Sequence, residues 1–142
     1  MTLVNTALAQ ADSIDLLLSE LIDKFPTLTL EQRLVRSTLV FTQLNTFFRN
    51  QASIVQHVLV EHPLYKTRYH KFELTHDAMV VLYENIIMLH VEEKRYREEL
   101  IKLRDKFKAY IEQPYESFMC QIQAGLSESD EKQILEEVLK LP

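Results

Sequence analysis

The stretch of the chain from Leu64 to Gln113 contains neither glycine nor proline. As one uninterrupted helix it would be about 75 Å long, at a rise of about 1.5 Å per residue, which is longer than a small domain is wide. A compact fold must therefore turn inside this run without a helix-breaking residue. The turns are predicted around Thr75 to Asp77, where a threonine or aspartate can cap a new helix, and around His90 to Lys94.

A heptad pattern runs through the middle of the sequence. Positions taken at steps of seven are apolar in the first half and alternate histidine with tyrosine in the second: Phe41, Phe48, Val55, His62, Tyr69, His76, Tyr83 and His90. The positions three residues further on are Leu44, Gln51, Val58, Tyr65, Phe72, Met79 and Ile86. This spacing keeps one side of a helix against a neighbouring helix. The pattern predicts that these side chains, including the histidines, face a helical interior or a partner.

Few residues in this chain break helices, since the sequence has one glycine and four prolines. The predicted helix boundaries are Pro26, Pro63, Pro114 and Gly125. Thr27 or Thr29 is predicted to cap the second helix, and Ser127 or Ser129 the last one. Neighbouring helices joined by short loops pack antiparallel. We therefore expect an all-α fold, an antiparallel up-down four-helix bundle with a short fifth C-terminal helix, formed by residues 1–142 as a single domain. The alternative is a bent helical hairpin that buries the heptad pattern against another subunit.

Composition narrows the function classes. The formal net charge of −5 offers no basic face for nucleic acid. No stretch of about 18 apolar residues is present to span a bilayer, and Met1 to Gln10 lacks the pattern of a signal peptide. The single Cys120 can form no internal disulfide, which suits the reducing cytoplasm. We expect a cytoplasmic protein that binds neither nucleic acid nor membrane.

The residues able to carry chemistry are mainly five histidines, all between positions 57 and 90. One glycine and one cysteine leave no phosphate-binding loop and no thiolate zinc site. No nucleophile–base pair can be placed, so no catalytic residue is predicted and an enzyme has no support. Histidine combined with carboxylate ligands suits iron or manganese, and helical bundles build such sites from inward-facing side chains.

Three parts of the chain together resemble a known family. His57-Val-Leu-Val-Glu61, followed by Leu64-Tyr65, looks like the H-x3-E signature on the second helix of hemerythrin-like domains. His76, at the start of a predicted helix, resembles the histidine of that family's third helix, and Phe107 to Glu128 is similar to its fourth helix and tail. The resemblance implies a four-helix bundle with His57, Glu61 and His76 as metal ligands. It also implies iron as the cofactor, used to bind or sense small ligands or to handle iron.

The ligand set implied by this resemblance is incomplete. No histidine precedes position 57, Tyr110 stands where the fourth helix should carry a histidine, and Pro114 or Tyr115 stands where a carboxylate is expected. At about 100° per residue, a regular second helix would turn His62 rather than His57 towards the interior. The implied site is therefore mononuclear, altered or lost.

Two functions remain compatible with the sequence. The first is a hemerythrin-like domain with a degenerate His/Glu site. The second is a metal-free helical interaction module, an adaptor or regulator, whose heptad pattern packs against a protein partner or a second subunit. For His76 and the other histidines of the pattern, an alternative to metal binding is a partly buried imidazole hydrogen-bonded to a tyrosine or carboxylate. Glu73 and His76 also form one E-x-x-H pair, whereas ferritin-like bundles use two.

Overall fold

The computed structural model describes residues 2–61, 66–91 and 94–137, apart from the side chains at positions 57–61, 66–73, 75 and 114. Every secondary-structure element in these ranges is a helix, which confirms the all-α prediction. The α-helices are α1 (Leu3–Lys24), α2 (Leu30–Glu61), α3 (Lys66–Ile87), α4 (Lys94–Tyr110), α5 (Glu116–Gly125) and α6 (Glu128–Glu137). A 3₁₀ turn, Phe25–Thr27, joins α1 to α2, and a π-helical segment, Ile111–Tyr115, joins α4 to α5.

The beginning of α2 is set by a capping box. The backbone N–H of Gln32 donates to the Thr29 hydroxyl over 3.2 Å, and the backbone N–H of Thr29 donates to the Gln32 side-chain oxygen over 3.0 Å. This reciprocal pair satisfies two backbone donors that a helix start leaves unpaired. Of the two predicted caps, Thr29 is therefore the one used. The Thr27 hydroxyl instead donates to the carbonyl of Lys24 over 2.8 Å.

The long run without glycine or proline contains one of the two predicted turns. α3 ends at Ile87 and α4 begins at Lys94, so the turn near His90 to Lys94 is confirmed. The turn predicted at Thr75 to Asp77 is wrong, because α3 continues through it. A local capping signal alone therefore does not decide where the run reverses.

Pro114 does not break the helix in which it occurs. It lacks the N–H that would bond to Tyr110, four residues earlier, and an α-helical turn there would also bring its ring against that carbonyl. The backbone from Ile111 to Tyr115 instead widens into a π-turn, and the helix then continues as α5. α5 ends at Gly125, as predicted. The Ser127 hydroxyl accepts from the backbone N–H of Asp130 over 3.1 Å and so caps α6.

α1 lies along α4 and α5 in the opposite direction. Near its start, the backbone N–H of Val4 donates to the side-chain oxygen of Gln123 on α5 over 2.9 Å. Near its end, Arg97 on α4 donates to the carbonyl of Ile22 over 3.1 Å. α1 also packs on α2, where Arg36 lies 3.8 Å from Glu20. Its buried side is continuous and consists of Leu3, Val4, Thr6, Ala7, Ala11, Ile14, Leu18, Leu21 and Ile22.

Aromatic side chains connect α2 to α3. The rings of Phe41 and Tyr83 meet edge to face at 5.4 Å, and those of Phe48 and His76 at 5.0 Å. Because the later residue of α2 meets the earlier residue of α3, these helices also run in opposite directions. α3 in turn packs on α4. Within the described part of the chain, no helix has both the length and the apolar composition needed to cross a membrane.

The heptad pattern faces inward over most of its described length. Leu44, Phe48, Gln51, Val55, Met79 and Ile86 are buried, while Phe41, His76 and Tyr83 are half-buried. The prediction is wrong for His90, which is exposed because α3 ends three residues before it. The remaining side chains of the pattern lie outside the described residues: Val58, His62, Tyr65, Tyr69 and Phe72.

Candidate functional site

Two buried tyrosines flank the π-helical segment. Tyr110 is 1% exposed and Tyr115 is 0% exposed. Their ring centroids lie 5.6 Å apart. In a regular α-helix, residues five apart point about 140° away from each other. The wider π-turn brings them to the same side of the helix, which is why such turns often occur at functional sites. The segment thus places two phenol groups together in the helical interior.

His76 from α3 contacts this tyrosine pair. Its Nδ1 lies 3.2 Å from the Tyr110 hydroxyl, a hydrogen bond whose donor depends on the imidazole tautomer. The Phe48 ring meets the imidazole edge to face, with 83° between the two planes. His76 is therefore held by a phenol on one side and an aromatic ring from α2 on another. This is the partly buried histidine–tyrosine pair that the sequence offered as the alternative to metal binding.

Gln51 on α2 completes this interior group, which we call the polar cluster: Gln51, His76, Tyr110 and Tyr115. The Gln51 side chain is buried at 1% exposure. Burial raises the pKa of Tyr115 well above the ordinary value of a phenol, and the nearby Gln51 amide acts in the opposite direction. Phe47 closes the cluster from α2, with its ring centroid 5.5 Å from that of Tyr115. Polar groups from α2, α3, α4 and the π-helical segment thus meet in one region of the interior.

At neutral pH, Tyr115 and Gln51 offer the polar cluster uncharged hydrogen-bonding groups. A phenol whose pKa is raised stays protonated at neutral pH, so Tyr115 can donate a hydrogen bond but does not serve as a base. An amide has no charge to contribute. The hydrogen bond between His76 and Tyr110, together with the ring contacts of Phe47 and Phe48, favours one alignment of α2, α3 and the π segment over others.

The implied metal ligands are only partly described. The backbone of α2 carries His57 and Glu61 in its last turns, but the side chains of both lie outside the described residues. His76 does lie in the interior, although in the middle of α3 and not at a helix start as predicted. Among the described side chains, no three histidines, cysteines or carboxylates come together as a metal site. The described donors, one imidazole beside a phenol, do not by themselves make up a ligand set.

A second candidate site is the outer surface of α2. Four large apolar side chains of this helix are exposed: Leu30 at 47%, Leu34 at 57%, Val35 at 62% and Leu39 at 49%. Amphipathic spacing in the sequence predicts Leu34 on the same inner side as Phe41, Leu44 and Phe48. This is wrong, because Ser37, Val40 and Leu44 take the buried side and Leu34 is exposed. Exposed apolar side chains that cluster on one helix mark interaction surfaces more often than scattered ones do.

Threonines make the outer surface of α2 more apolar than its composition suggests. The hydroxyls of Thr38, Thr42 and Thr46 each donate to the carbonyl four residues earlier, over 2.8, 2.7 and 3.0 Å. These hydroxyls are therefore satisfied within the helix, and the methyl groups remain for the outward side. The face presents methyl groups alongside the exposed leucine and valine side chains.

α3 also carries an exposed apolar row on its outer side. Leu74 and Val81 on α3, and Met88 directly after its end, recur at steps of seven and are 61%, 55% and 83% exposed. Exposed Asp77 and Glu84 lie beside this row. Its charged border is therefore acidic.

An open cleft of about 570 Å³ lies between α1 and α2, near the end of α6. Its lining combines polar side chains with apolar surface and comprises Gln10, Ser13, Ile14, Thr42, Gln43, Thr46, Phe47, Arg49, Asn50, Ser53 and Glu137. The cleft borders the outer surface of α2 at Thr42 and Thr46.

No match was found in the comparisons of this chain with family models, curated proteins and solved structures. The hemerythrin-like resemblance accordingly rests on the sequence motifs around His57, Glu61 and His76. Two described sites bear on function: the polar cluster in the interior and the outer surface of α2.

Sequence reasoning missed two members of the polar cluster. Gln51 occupies a heptad position, so a polar residue inside an otherwise apolar row was the available signal. Tyr115 had no such signal, because its alignment with Tyr110 depends on the π-turn. The outer surface of α2 was detectable: Val35 and Leu39 fall off the buried row, which means that this helix has apolar residues on more than one side.

Proposed function

We propose that this protein is a helical interaction module that binds an α-helix of a protein partner through the outer surface of α2. One observation carries the proposal: Leu34, Val35 and Leu39 are each about half exposed or more, although the opposite side of the same helix is already packed. Rows of apolar side chains at helical spacing are the usual means by which one helix recognises another. The threonine methyl groups extend the apolar surface between them.

We further propose that the helices form an antiparallel up-down bundle of α1, α2, α3 and the continuous segment α4–α5, with α6 as the short fifth helix. The reversed pairings of α1 with α4–α5 and of α2 with α3 support this arrangement. The polar cluster then holds the helices in one alignment, so that the outer surface of α2 is presented rigidly. The lone cysteine suits the reducing cytoplasm as the place of action.

Site-specific photo-cross-linking in cells tests the binding surface. A photoreactive amino acid placed at Leu34 or Val35 is expected to give cross-linked species, because these side chains would lie against the partner helix. Mass spectrometry of the products identifies the partner residues, which should fall on the apolar side of a helix.

The matched control is the same photoreactive residue at Lys102, an exposed position on α4 whose side chain is 64% accessible. Cross-linking at the α2 positions that does not exceed that at Lys102 would refute the proposed binding surface. Each variant is first checked for an unchanged helical circular dichroism spectrum, so that loss of fold is not mistaken for loss of binding.

A second candidate function is a hemerythrin-like, iron-binding domain. The observation in its favour is the position of His76, which reaches from α3 to Tyr110 on the last long helical segment. In this reading, His57 and Glu61 of α2 would join His76, and iron bound there would supply small-ligand binding or sensing. The described residues support only the His76 part of that set.

Metal analysis of the purified protein tests this candidate. Iron should co-purify with the unmodified protein and be lost in the double variant His57→Ala plus His76→Ala. Absence of metal from the unmodified protein, together with unchanged stability of the double variant, would exclude the iron site. A Tyr110→Phe variant separates the two roles, because it removes the hydrogen bond to His76 and leaves all three implied ligands in place.

A further inference from the structure

The outer surface of α2 contains a second row of residues at heptad spacing. Steps of four and three residues alternate along it, and every member is exposed: Glu31, Val35, Thr38, Thr42, Asn45 and Arg49. This spacing keeps one line of a helix in contact with another helix over several turns. Leu34 lies on one side of this outer row and Leu39 on the other. The outer row thus has an apolar border on both sides.

The two ends of the outer row carry opposite charges. Glu31 and Arg49 are 18 positions apart, which is five turns, so both side chains leave the helix in the same direction about 27 Å apart. Neither charge is within ion-pair distance of an opposite charge among the described residues. The middle of the row is uncharged. The outer row is therefore acidic at one end and basic at the other.

We propose that two copies of this chain associate through the outer row, with their α2 helices antiparallel about a two-fold axis near Val40. Glu31 of each copy then faces Arg49 of the other, and Thr38 faces Thr42. A parallel arrangement would instead bring Glu31 against Glu31 and Arg49 against Arg49, which is repulsive. This inference rests on the proposed function and names its partner as a second copy. A two-fold interface uses the same patch on both copies, as a self-complementary row requires.

The apolar row on α3 does not have this self-complementary charge pattern. Asp77 and Glu84 lie on the same side of the row formed by Leu74, Val81 and Met88. In an antiparallel pair of α3 helices, the same border of each copy meets the other, so these carboxylates would approach each other. Like charges across an interface suppress that pairing. Charge pattern therefore favours the α2 surface over the α3 surface for self-association.

Sedimentation of the full chain over a wide concentration range tests the proposal. The unmodified protein is expected to approach twice the 16.8 kDa mass of one chain as concentration rises. Each single reversal, Glu31→Arg or Arg49→Glu, turns two attractive contacts of the dimer into repulsive ones. Each should therefore raise the dissociation constant about tenfold. The double reversal, Glu31→Arg with Arg49→Glu, restores opposite charges across the axis and should return it close to the original value.

Two valine substitutions provide a matched control. Val35→Glu places a charge in the outer row and should abolish the dimer, whereas Val81→Glu makes the same change on α3 and should leave it intact. Three results would each overturn the inference. The unmodified protein could be a monomer at every concentration, or the double reversal could fail to restore association. The third is a dimer that Val81→Glu dissociates and Val35→Glu does not. If the purified chain is monomeric while cross-links at Leu34 identify another protein, only the second-copy proposal is refuted. If there is neither a dimer nor a cross-linked partner, the proposed function is refuted as well.

Discussion

Replacing Tyr115 by phenylalanine should change how stability depends on alkaline pH. In the unfolded chain a tyrosine titrates near about pH 10. In the folded protein burial raises the pKa of Tyr115 above that value, so its phenol keeps its proton when unfolded chains have lost theirs. The native state then binds more protons than the unfolded state. Stability contributed by the protonated phenol is fully present below about pH 10 and falls as pH rises above it.

The size of this effect follows from the number of protons. One proton more in the native state lowers the free energy of unfolding by about 1.4 kcal/mol for each pH unit. Tyr115 is fully buried, so it should approach that slope between about pH 10 and its raised pKa. Tyr96 has a raised pKa for the same reason, with the Ser37 hydroxyl acting in the opposite direction. Both tyrosines therefore steepen the loss of stability.

Urea unfolding between about pH 9 and about pH 11, across the range where tyrosine titrates, measures the slope for the unmodified protein and for Tyr115→Phe. Over this whole range the variant should lose about 1.4 kcal/mol less stability than the unmodified protein, because the difference in slope is near zero at about pH 9 and approaches about 1.4 kcal/mol for each pH unit only above about pH 11. At neutral pH its stability should change by only about 1 kcal/mol, since a shape-conserving change loses one polar contact with Gln51. Tyr83→Phe is the comparison, because Tyr83 is half-buried and should give a smaller change. If the free energy of unfolding falls in parallel with pH for the unmodified protein and for Tyr115→Phe, the phenol of Tyr115 is not buried and protonated as described.

Two further substitutions test packing and capping. Leu44→Ala, at a fully buried position of α2, should lower the free energy of unfolding by about 2–5 kcal/mol, whereas Leu16→Ala, at a position 70% exposed, should change it by less than about 0.5 kcal/mol. Equal effects in urea unfolding would contradict the assigned core. Thr29→Ala should cost about 1 kcal/mol by removing the hydroxyl that accepts from Gln32, and Thr29→Ser should recover most of it. A serine variant as unstable as the alanine variant would argue against the capping box.

The sequence was sufficient to predict helices where breakers and amphipathic spacing agree. Thr29 begins α2 because its hydroxyl accepts a backbone hydrogen bond that a helix start leaves open, and α5 ends where the sequence has its glycine, at Gly125. The turn expected at Thr75 to Asp77 failed for a different reason. Capping residues permit a helix to begin but do not require it, and α3 continues through these residues to Ile87.

The polar cluster was only partly predictable. His76 belongs to the heptad pattern, so its inward position and its tyrosine partner follow from spacing and from the way helical interiors satisfy imidazoles. Tyr115 does not follow from any α-helical period. Its place beside Tyr110 depends on how the backbone accommodates Pro114, and a proline permits a kink, a break or a π-turn alike. The choice among these is made by packing against the other helices.

The two faces of α2 impose different requirements on the same helix. Its inner face is covered by α1 and, through Phe41 and Phe48, by aromatic side chains of α3. When a helix has apolar side chains on both faces, the outer ones contribute no hydrophobic stabilisation as long as they remain in contact with water. Leu34 and Val35 add no stability to the isolated chain by burial, because both are more than half exposed. Covering them with a second antiparallel α2 would bury both leucine borders and pair Glu31 with Arg49. Association should therefore stabilise the fold, and unfolding of the unmodified protein should become more resistant to urea as its concentration rises, an effect that Val35→Glu removes.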